Sequence, residues 1–256
     1  MALLEIRNMT HWFGGLRAVY NFNTRIEPGE IRGLIGPNGA GKTTVFNLVT
    51  GFYTPTEGQI FFLGREITGL RPHQIGRLGI SRTFQNLRLW THLTALDNVK
   101  IAYYSQIRYG LIGAFFNTRA RREEEERIDH EARQLMRMLD IDQYAHRVVS
   151  GLPYGIQRKV EIARALATKP KLLLLDEPTA GMGPAEMEET MAFIRRIRDQ
   201  FNLTIWLIEH KMKFVMGLCG WIQVLNFGEI IAEGPPEEIQ RNPEVIRAYL
   251  GEMVEL

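Results

Sequence analysis

A glycine-rich segment, Gly36–Thr44, holds the residue types best suited to binding a phosphate group. It reads GPNGAGKTT and matches the pattern G-x-x-x-x-G-K-[ST] in full. The glycines allow a tight turn whose N–H groups point inward at phosphate oxygens. Lys42 would reach the β- and γ-phosphates of a nucleotide, and the Thr43 hydroxyl would be a ligand for Mg²⁺. The predicted nucleotide-binding residues of this loop are Gly36, Pro37, Asn38, Gly39, Ala40, Gly41, Lys42, Thr43 and Thr44.

An acidic pair, Asp176 and Glu177, follows the apolar run Leu172–Leu175. Enzymes with a phosphate-binding loop use an aspartate at the end of a hydrophobic strand to hold Mg²⁺, usually through water. Glu177 would then polarise an attacking water as the general base. The alternative is an acidic surface turn without a catalytic role. Because the phosphate loop lies upstream, we favour the catalytic interpretation.

His210 and Phe13 are two further candidates for the nucleotide site. His210 follows the predicted strand Leu203–Glu209. An isolated histidine more often has a structural role, which is the alternative here. If that strand runs parallel to the one before the phosphate loop, His210 lies at the edge where ligands bind in open α/β sheets and would contact the γ-phosphate. Phe13 precedes the loop and would stack on adenine. Core packing is the alternative for Phe13, and its neighbour Trp12 is a rival for the same role.

The elements that must position these residues begin with a β-rich part. Glycine, proline and threonine turn signals separate its apolar and alternating runs. The candidate strands are Leu3–Ile6, Arg17–Ile26, Ile31–Ile35 and Gln59–Leu63. A helix is predicted over Lys42–Thr50, ending at Gly51.

The middle of the chain, residues 72–168, is predicted to be mostly helical. Its segment Arg119–Asp140 combines the charged run RARREEEER with apolar positions at helical spacing, as expected for an amphipathic helix with a solvated face. From Lys171 onward strands and helices alternate again. The predicted elements there are the strand Leu172–Leu175, the helix Ala185–Gln200, the strand Leu203–Ile208, the helix Lys211–Leu218 and the hairpin Trp221–Ile231. The pattern predicts a mixed α/β core with a helical insertion.

Composition limits the classes of partner. The 256 residues suffice for one large α/β domain or for one domain with a subdomain. With 31 basic and 29 acidic residues, the charge gives no electrostatic reason to expect nucleic-acid binding. Cys219 is the only cysteine, so no internal disulfide is possible, which fits a reducing, cytoplasmic setting. We expect no signal peptide, and no apolar run approaches the ~20 residues of a membrane span. Any link to a membrane would then be through a partner.

The phosphate loop, the acidic pair Asp176 and Glu177, and His210 follow one another in the order typical of the nucleotide-binding subunits of ABC transporters. The chain resembles these subunits over essentially its whole length. Gln85, in SRTFQNLRLW, matches the glutamine that in this family couples the site to a membrane partner. The stretch LPYGI, followed by QRKVEIARALA, stands where the family has its signature motif. The matching signature residues are Leu152, Pro153, Tyr154, Gly155 and Ile156.

The resemblance implies a P-loop ABC ATPase fold, which is an α/β fold. It has a RecA-like core, an N-terminal antiparallel β subdomain and a helical subdomain insertion. The chain would be a single nucleotide-binding domain with four parts. These are a β-rich part (1–84), a helical subdomain (85–168), a core part (169–234) and a C-terminal helical tail (235–256).

The resemblance also implies ATP hydrolysis, with ATP and Mg²⁺ as the bound groups. Glu177 would be the base that activates water. Thr43, Gln85 and, through water, Asp176 would hold Mg²⁺, while Lys42 and His210 stabilise developing charge. Two such subunits would sandwich two ATP molecules, each between one subunit's phosphate loop and the other's signature.

Four longer segments look like the ATP-binding subunit of branched-chain amino acid importers, and in particular the one with the longer helical insertion, here Tyr103–Arg122. The segments are GPNGAGKTTVFNLVTGFY, RTFQNLRLW, LIEHKMKFVMGLC and NPEVIRAYLGE. The implied partners are a second ATPase subunit, two membrane permease subunits and, indirectly, an external solute-binding protein. The chain would lie at the cytoplasmic face of the membrane. Related systems carry urea, short amides or other amino acids.

Three positions depart from the family pattern. Pro153 stands where a serine should contact the γ-phosphate of the partner's ATP, and proline has neither a hydroxyl nor a backbone N–H. Ile156 replaces the polar residue that ends the motif, and Gly183 replaces an aspartate that usually reaches across the dimer. All three serve the partner's nucleotide, so we hypothesise an asymmetric heterodimer, with a homodimer as the alternative. A rival explanation is that backbone donors suffice.

Other functions remain as alternatives. A soluble ABC ATPase acting on ribosomes or DNA usually carries two cassettes or a long coiled coil, and an export or lipid-extraction ATPase would differ in its membrane subunits. A kinase or GTPase lacks support, because the sequence shows no N-K-x-D element.

The apolar stretch Leu87–Trp90 has two interpretations. It would form a groove for a helix of the membrane subunit, or its side chains pack in the core.

Overall fold

The computed structural model describes residues 2–104 and 119–254. Contacts between the described residues divide the chain into two compact units. The first unit comprises Met1–Gln85 and Lys171–Leu256, and the second comprises Asn86–Pro170.

The first unit contains two sheets. An antiparallel sheet has the order β2-β1-β4-β5, and a second sheet has the order β10-β9-β3-β8-β7-β6. The strands are β1 (Leu4–Phe13), β2 (Leu16–Ile26), β3 (Ile31–Ile35), β4 (Glu57–Phe62), β5 (Arg65–Glu66), β6 (Ile80–Arg82), β7 (Leu172–Asp176), β8 (Thr204–Ile208), β9 (Trp221–Asn226) and β10 (Glu229–Gly234). The helices of this unit are α1 (Lys42–Val49), α2 (Pro72–Leu78), α6 (Pro184–Phe201), α7 (Met212–Leu218), α8 (Pro236–Arg241) and α9 (Pro243–Val254).

The second sheet is parallel except at β10. Strand β3 pairs in parallel with β8 and β9, and β7 pairs in parallel with β8 and β6. Strand β10 runs antiparallel to β9. Because the parallel strands share one direction, the phosphate loop after β3, Glu177 after β7 and His210 after β8 all follow carboxyl ends at the same edge. This arrangement is the mixed α/β core expected from the sequence.

The core of the first unit fills the space around three fully buried strands, β3, β7 and β8. Trp206 of β8 is fully buried, and its ring lies 6.3 Å from that of Phe22 on β2 and 5.1 Å from that of Phe46 on α1. Burying a large aromatic side chain contributes about 1.5–3 kcal/mol. The same contacts therefore fix α1, and with it the phosphate loop, to both sheets.

Two elements differ from the sequence expectations. Strand β1 continues to Phe13 instead of ending at Ile6, through register shifts and a positive φ of 50° at Asn8. The stretch predicted as helical also contains β6, Ile80–Arg82, which pairs with β7 at Leu172 to Leu174. A strand of three residues is too short to show a periodic pattern, and its pairing partner lies far away in the sequence. The sequence pattern therefore could not predict β6.

The second unit contains three α-helices among its described residues, α3 (Ala95–Tyr103), α4 (Arg119–Met138) and α5 (Tyr154–Leu166), and two short 3₁₀ helices at Asp142–Tyr144 and Val149–Gly151. The apolar face predicted for the segment Arg119–Asp140 is buried, at Ile128, Ala132, Leu135 and Met136 of α4 and at Leu139 directly after it. A fully buried ion pair joins Arg158 and Glu161 on α5 at 2.8 Å, and Glu161 also accepts a hydrogen bond from the Arg88 N–H. Most of the predicted insertion Tyr103–Arg122 lies outside the described residues.

Among residues 2–104 and 119–254, every helix is too short or too polar to cross a bilayer.

Candidate nucleotide site

The phosphate loop lies between β3 and α1, and two of its glycines are required by the space around them. Gly36 has a φ of 149°, and a Cβ there would lie 2.0 Å from the Leu225 carbonyl oxygen. Gly41 has a φ of 102°, and a Cβ there would lie 2.5 Å from the Ala18 carbonyl oxygen. Both positions combine a left-handed backbone with a close approach of another chain segment, so only glycine fits. The loop backbone is thus held between β2 and β9.

Lys42 is the first residue of α1 and is buried. Its Nζ donates hydrogen bonds to the carbonyl oxygens of Gly36, at 2.6 Å, and Pro37, at 2.7 Å. These bonds fold the side chain back over the loop. The first turn of α1 continues with Thr43 and Thr44 and holds no acidic residue. The positive end of the helix would therefore attract a phosphate without competition from carboxylates of its own.

A cavity of about 430 Å³ opens over this loop. Five segments far apart in the sequence contribute to it: the β1–β2 hairpin, the phosphate loop, the chain after β6, the chain after β7 and the β9–β10 turn. The lining residues are Phe13, Leu16, Arg17, Ala18, Asn38, Gly39, Ala40, Gly41, Lys42, Thr43, Thr44, Gln85, Glu177 and Phe227. Of the predicted nucleotide-binding residues, Gly36 and Pro37 lie outside this lining, although the Lys42 hydrogen bonds connect both of them to it.

Glu177 is the centre of a polar cluster at the cavity. The Gln85 Nε2 donates a hydrogen bond to the Glu177 carboxylate at 2.8 Å, and the His210 Nδ1 lies 3.7 Å from the same oxygen. The backbone of Glu177 has a φ of 46°, which is left-handed, and its N–H donates to the Ile208 carbonyl at 2.9 Å. The structure thus brings together Gln85, Glu177 and His210, although His210 is not among the described residues that line the cavity.

Asp176 has a different environment from its neighbour. Its carboxylate is buried and forms an ion pair with Arg82 at 2.6 Å. Arg82 also donates to the Asn47 side chain of α1 at 2.7 Å. Arg82 was not predicted as part of the site, and no sequence signal identified it, because the strand β6 that carries it was itself missed. The ion pair connects β6, β7 and α1 beside the phosphate loop.

Apolar side chains form the outer part of the cavity. Phe13, Leu16 and Phe227 line it and are 41%, 68% and 82% exposed. Phe13 contacts the His11 ring edge-on at a centroid distance of 4.6 Å and the Tyr53 ring at 5.1 Å. Sequence reasoning missed Leu16 and Phe227. The only signal for them was a neighbouring turn: Leu16 begins β2 directly after Gly14-Gly15, and Phe227 lies in the turn between β9 and β10. Phe13 lines the cavity, whereas Trp12, in the same described strand, does not.

The donor set at the cavity fits a hard divalent cation held together with phosphate. The Thr43 hydroxyl and the Gln85 amide oxygen are neutral oxygen donors of the kind that Mg²⁺ takes. Within residues 2–104 and 119–254, no group of three or more His, Cys, Asp or Glu side chains is arranged to hold a metal by itself. A cation here would therefore need oxygens from the bound nucleotide to complete its coordination.

The signature residues lie in the second unit, at the start of α5. Pro153 precedes this helix, and Tyr154, 42% exposed, accepts a hydrogen bond from Arg158 at 3.0 Å. A Cβ at Gly155 would meet nothing within 4 Å among the described residues, so this backbone is open to close approach. The helix end thus offers backbone groups and lacks a hydroxyl at Pro153.

Comparison with known proteins identifies the family. The family model "ABC transporter" matches residues 19–180, and the model "Branched-chain amino acid ATP-binding cassette transporter" matches residues 229–255. The chain is 47% identical over 251 residues to the high-affinity branched-chain amino acid transport ATP-binding protein LivG of Escherichia coli strain K12. It is 45% identical over 251 residues to the corresponding protein BraF of Pseudomonas aeruginosa. Each alignment covers 98% of both chains.

Solved structures agree with this assignment. The ADP conformation of MJ1267, an ATP-binding cassette of an ABC transporter, matches with a TM-score of 0.86 and 29% identity, covering 98% of this chain and 99% of that one. A nucleotide-free ATP-binding cassette from an ABC transporter matches with a TM-score of 0.85 and 30% identity, covering 97% and 99%. The ABC ATPase fold expected from the sequence is confirmed. The chain belongs to the ABC transporter family, as one of its ATP-binding subunits, and is an ABC ATPase.

Proposed function

We propose that the chain hydrolyses ATP to drive the import of branched-chain or related amino acids. The observation that carries the proposal is the identity of 45–47%, over nearly the full length, to branched-chain amino acid transport ATP-binding proteins. The match of residues 229–255 to a model of such transporters supports it independently. The proposed partners are two membrane permease subunits, a second ATPase subunit and an external solute-binding protein. The proposed location is the cytoplasmic face of the membrane.

In the proposed reaction, a water molecule attacks the γ-phosphate of ATP and gives its proton to Glu177. The bond between the γ-phosphorus and the oxygen that bridges to the β-phosphate breaks, and ADP leaves with that oxygen. The hydrogen bond from Gln85 orients this carboxylate toward the cavity. His210, 3.7 Å from the carboxylate, would stabilise charge on the γ-phosphate oxygens. Lys42 would exchange its carbonyl partners for phosphate oxygens. Bound Mg²⁺ would neutralise charge on the β- and γ-phosphates, and Thr43, Gln85 and, through water, Asp176 would hold it.

The proposed organisation is one nucleotide-binding domain whose second unit supplies contacts to other subunits. Trp90 is 49% exposed, and the Arg164 guanidinium lies 5.3 Å from the centre of its ring while donating to the Arg88 carbonyl. This exposure favours a role of Leu87–Trp90 in receiving a helix of a membrane subunit over core packing of Trp90. The start of α5 would face the nucleotide held by the second ATPase subunit.

Transport by the assembled complex tests the proposed function. The chain, co-expressed with its permease subunits and second ATPase, is reconstituted in liposomes with ATP inside and the solute-binding protein outside. Leucine, isoleucine or valine is expected to enter and to accelerate ATP hydrolysis, whereas a basic amino acid does neither. Export of solute or lipid would contradict import. Sedimentation of the chain with ribosomes or DNA, without permease subunits, would support the alternative of a soluble ABC ATPase.

Phe13→Ala is expected to raise the Kd for ATP by about 5- to 140-fold, because stacking of a base on an aromatic ring contributes roughly 1–3 kcal/mol. Trp12→Ala is the matched control, since Trp12 is equally exposed, at 42%, and lies outside the cavity lining. Titration calorimetry with ATP and with tripolyphosphate, which has no base, measures the effect. The affinity for tripolyphosphate should stay unchanged. A larger loss in Trp12→Ala would assign the adenine contact to Trp12.

A further inference from the structure

We propose that Glu209 and Lys211 are positioning residues that hold the loop after β7 in the conformation that aims Glu177 at the cavity. The loop in question is Thr179–Met182, called the 179–182 loop below. The inference rests on the proposed role of Glu177 in hydrolysis. It adds two residues that nothing in the resemblance assigns and that do not line the cavity.

Glu209 is a fully buried carboxylate whose hydrogen bonds join two loops. One oxygen accepts from the Thr179 N–H at 3.0 Å and from the Thr179 hydroxyl. The other accepts from the N–H groups of His210, at 3.0 Å, and Lys211, at 3.3 Å. A buried carboxylate is tolerated only when such donors satisfy it. The same negative charge, added to the larger effect of burial, raises the pKa of the Cys219 thiol.

Lys211 holds the same loop by hydrogen bonds to its backbone carbonyl groups. Its Nζ donates to the carbonyl oxygens of Thr179, at 2.9 Å, and Met182, at 2.8 Å. Glu209 therefore binds the amide and hydroxyl of Thr179, and Lys211 binds its carbonyl and the end of the loop. The two residues together hold the whole 179–182 loop against the chain that follows β8.

This support explains how Glu177 keeps an unfavourable backbone. A left-handed conformation in a non-glycine residue persists only where the surroundings impose it. Glu177 is held on its N-terminal side by its hydrogen bond to Ile208, and on its C-terminal side by the 179–182 loop. If the loop were released, Glu177 could relax to an ordinary conformation and its carboxylate would leave Gln85 and His210. Glu209 and Lys211, called the clamp below, therefore act on catalysis through the orientation of Glu177.

The test compares Lys211→Met with Lys213→Met in the assembled complex. Lys213 lies two residues further on, is exposed and forms a surface ion pair with Glu188 at 3.0 Å. Both substitutions replace a lysine by methionine, so they change charge and size equally. Lys211→Met is expected to lower kcat roughly tenfold while the KM for ATP changes less than about twofold. Lys213→Met should leave both unchanged. Lys211→Arg should restore most of kcat, because a guanidinium also donates to two carbonyls.

Glu209→Gln is the second variant. Glutamine keeps the size of the side chain, but its amide group presents N–H atoms to N–H donors, so roughly tenfold or more of kcat should be lost. Stoichiometric ATP binding and thermal unfolding report the folded fraction of each variant. A merely structural role would lower that fraction and leave turnover per ATP-binding site unchanged. Such a result, or equal kcat in Lys211→Met and Lys213→Met, would overturn the clamp.

The experiments distinguish a wrong proposal for Glu209 and Lys211 from a wrong proposal of ATP hydrolysis. If the unaltered complex binds ATP but does not hydrolyse it, the proposed function fails and the clamp fails with it. If the unaltered complex and Lys213→Met hydrolyse ATP and Lys211→Met does so equally well, only the clamp is wrong.

Discussion

Glu177→Gln is expected to lower the kcat of ATP hydrolysis by about 10²- to 10⁴-fold, the range that a general base contributes. Glutamine keeps the shape of the side chain and can still accept the hydrogen bond that Gln85 now donates at 2.8 Å, but it cannot take a proton from water. ATP binding should be retained or tightened, because the substitution removes a negative charge beside the γ-phosphate.

Single-turnover hydrolysis and ATP titration, made on the same assembled complex, separate these two effects. Glu188→Gln is the matched control, since Glu188 lies at the surface in an exposed pair with Lys213. Its kcat should equal that of the unaltered chain. Retained turnover in Glu177→Gln would mean that another group accepts the proton, and a large loss of ATP affinity would mean that Glu177 contributes to binding.

Lys42→Ala is expected to raise the Kd for ATP by at least about 10²-fold, because it removes two charge-assisted contacts of roughly 1.5–3 kcal/mol each. The loop itself should survive, since the left-handed glycines and their packing against β2 and β9 define it independently of the lysine. Fluorescence titration with a nucleotide analogue measures the loss. Lys213→Ala, at an exposed site, is the control. Unchanged affinity in Lys42→Ala would contradict phosphate binding at this loop.

The same substitution tests the proposed asymmetry of the heterodimer. Pro153 provides neither a hydroxyl nor an N–H to the partner's nucleotide. The site that uses this chain's signature should therefore turn over roughly ten- to a hundredfold more slowly, for one lost charge-assisted contact. Turnover of the complex is expected to fall more with Lys42→Ala than with the equivalent change in the second ATPase subunit. Equal losses would contradict the asymmetry and favour the view that backbone donors suffice.

The sequence by itself determined the parts of the site that depend on local geometry. Gly36 and Gly41 adopt backbone conformations that other residues rarely take, so the phosphate loop requires glycine at both positions. The spacing of these glycines and Lys42 therefore identifies the loop from the sequence. The apolar run before Asp176 predicted a buried strand, and β7 is one. These signals are readable because each one lies within a few consecutive residues and one element.

Only the tertiary structure decided which residues from distant parts of the chain contact the phosphate loop and the segment after β7. Arg82 reaches Asp176 through β6, a strand of three residues that exists because β7 pairs with it. Phe227 reaches the cavity through the β9–β10 turn, and Glu209 reaches Thr179 from the end of the next parallel strand. Sheet pairing between segments far apart in the chain creates each of these contacts. A single sequence holds no periodic trace of such pairing, so these partners became visible only once the strands were placed side by side.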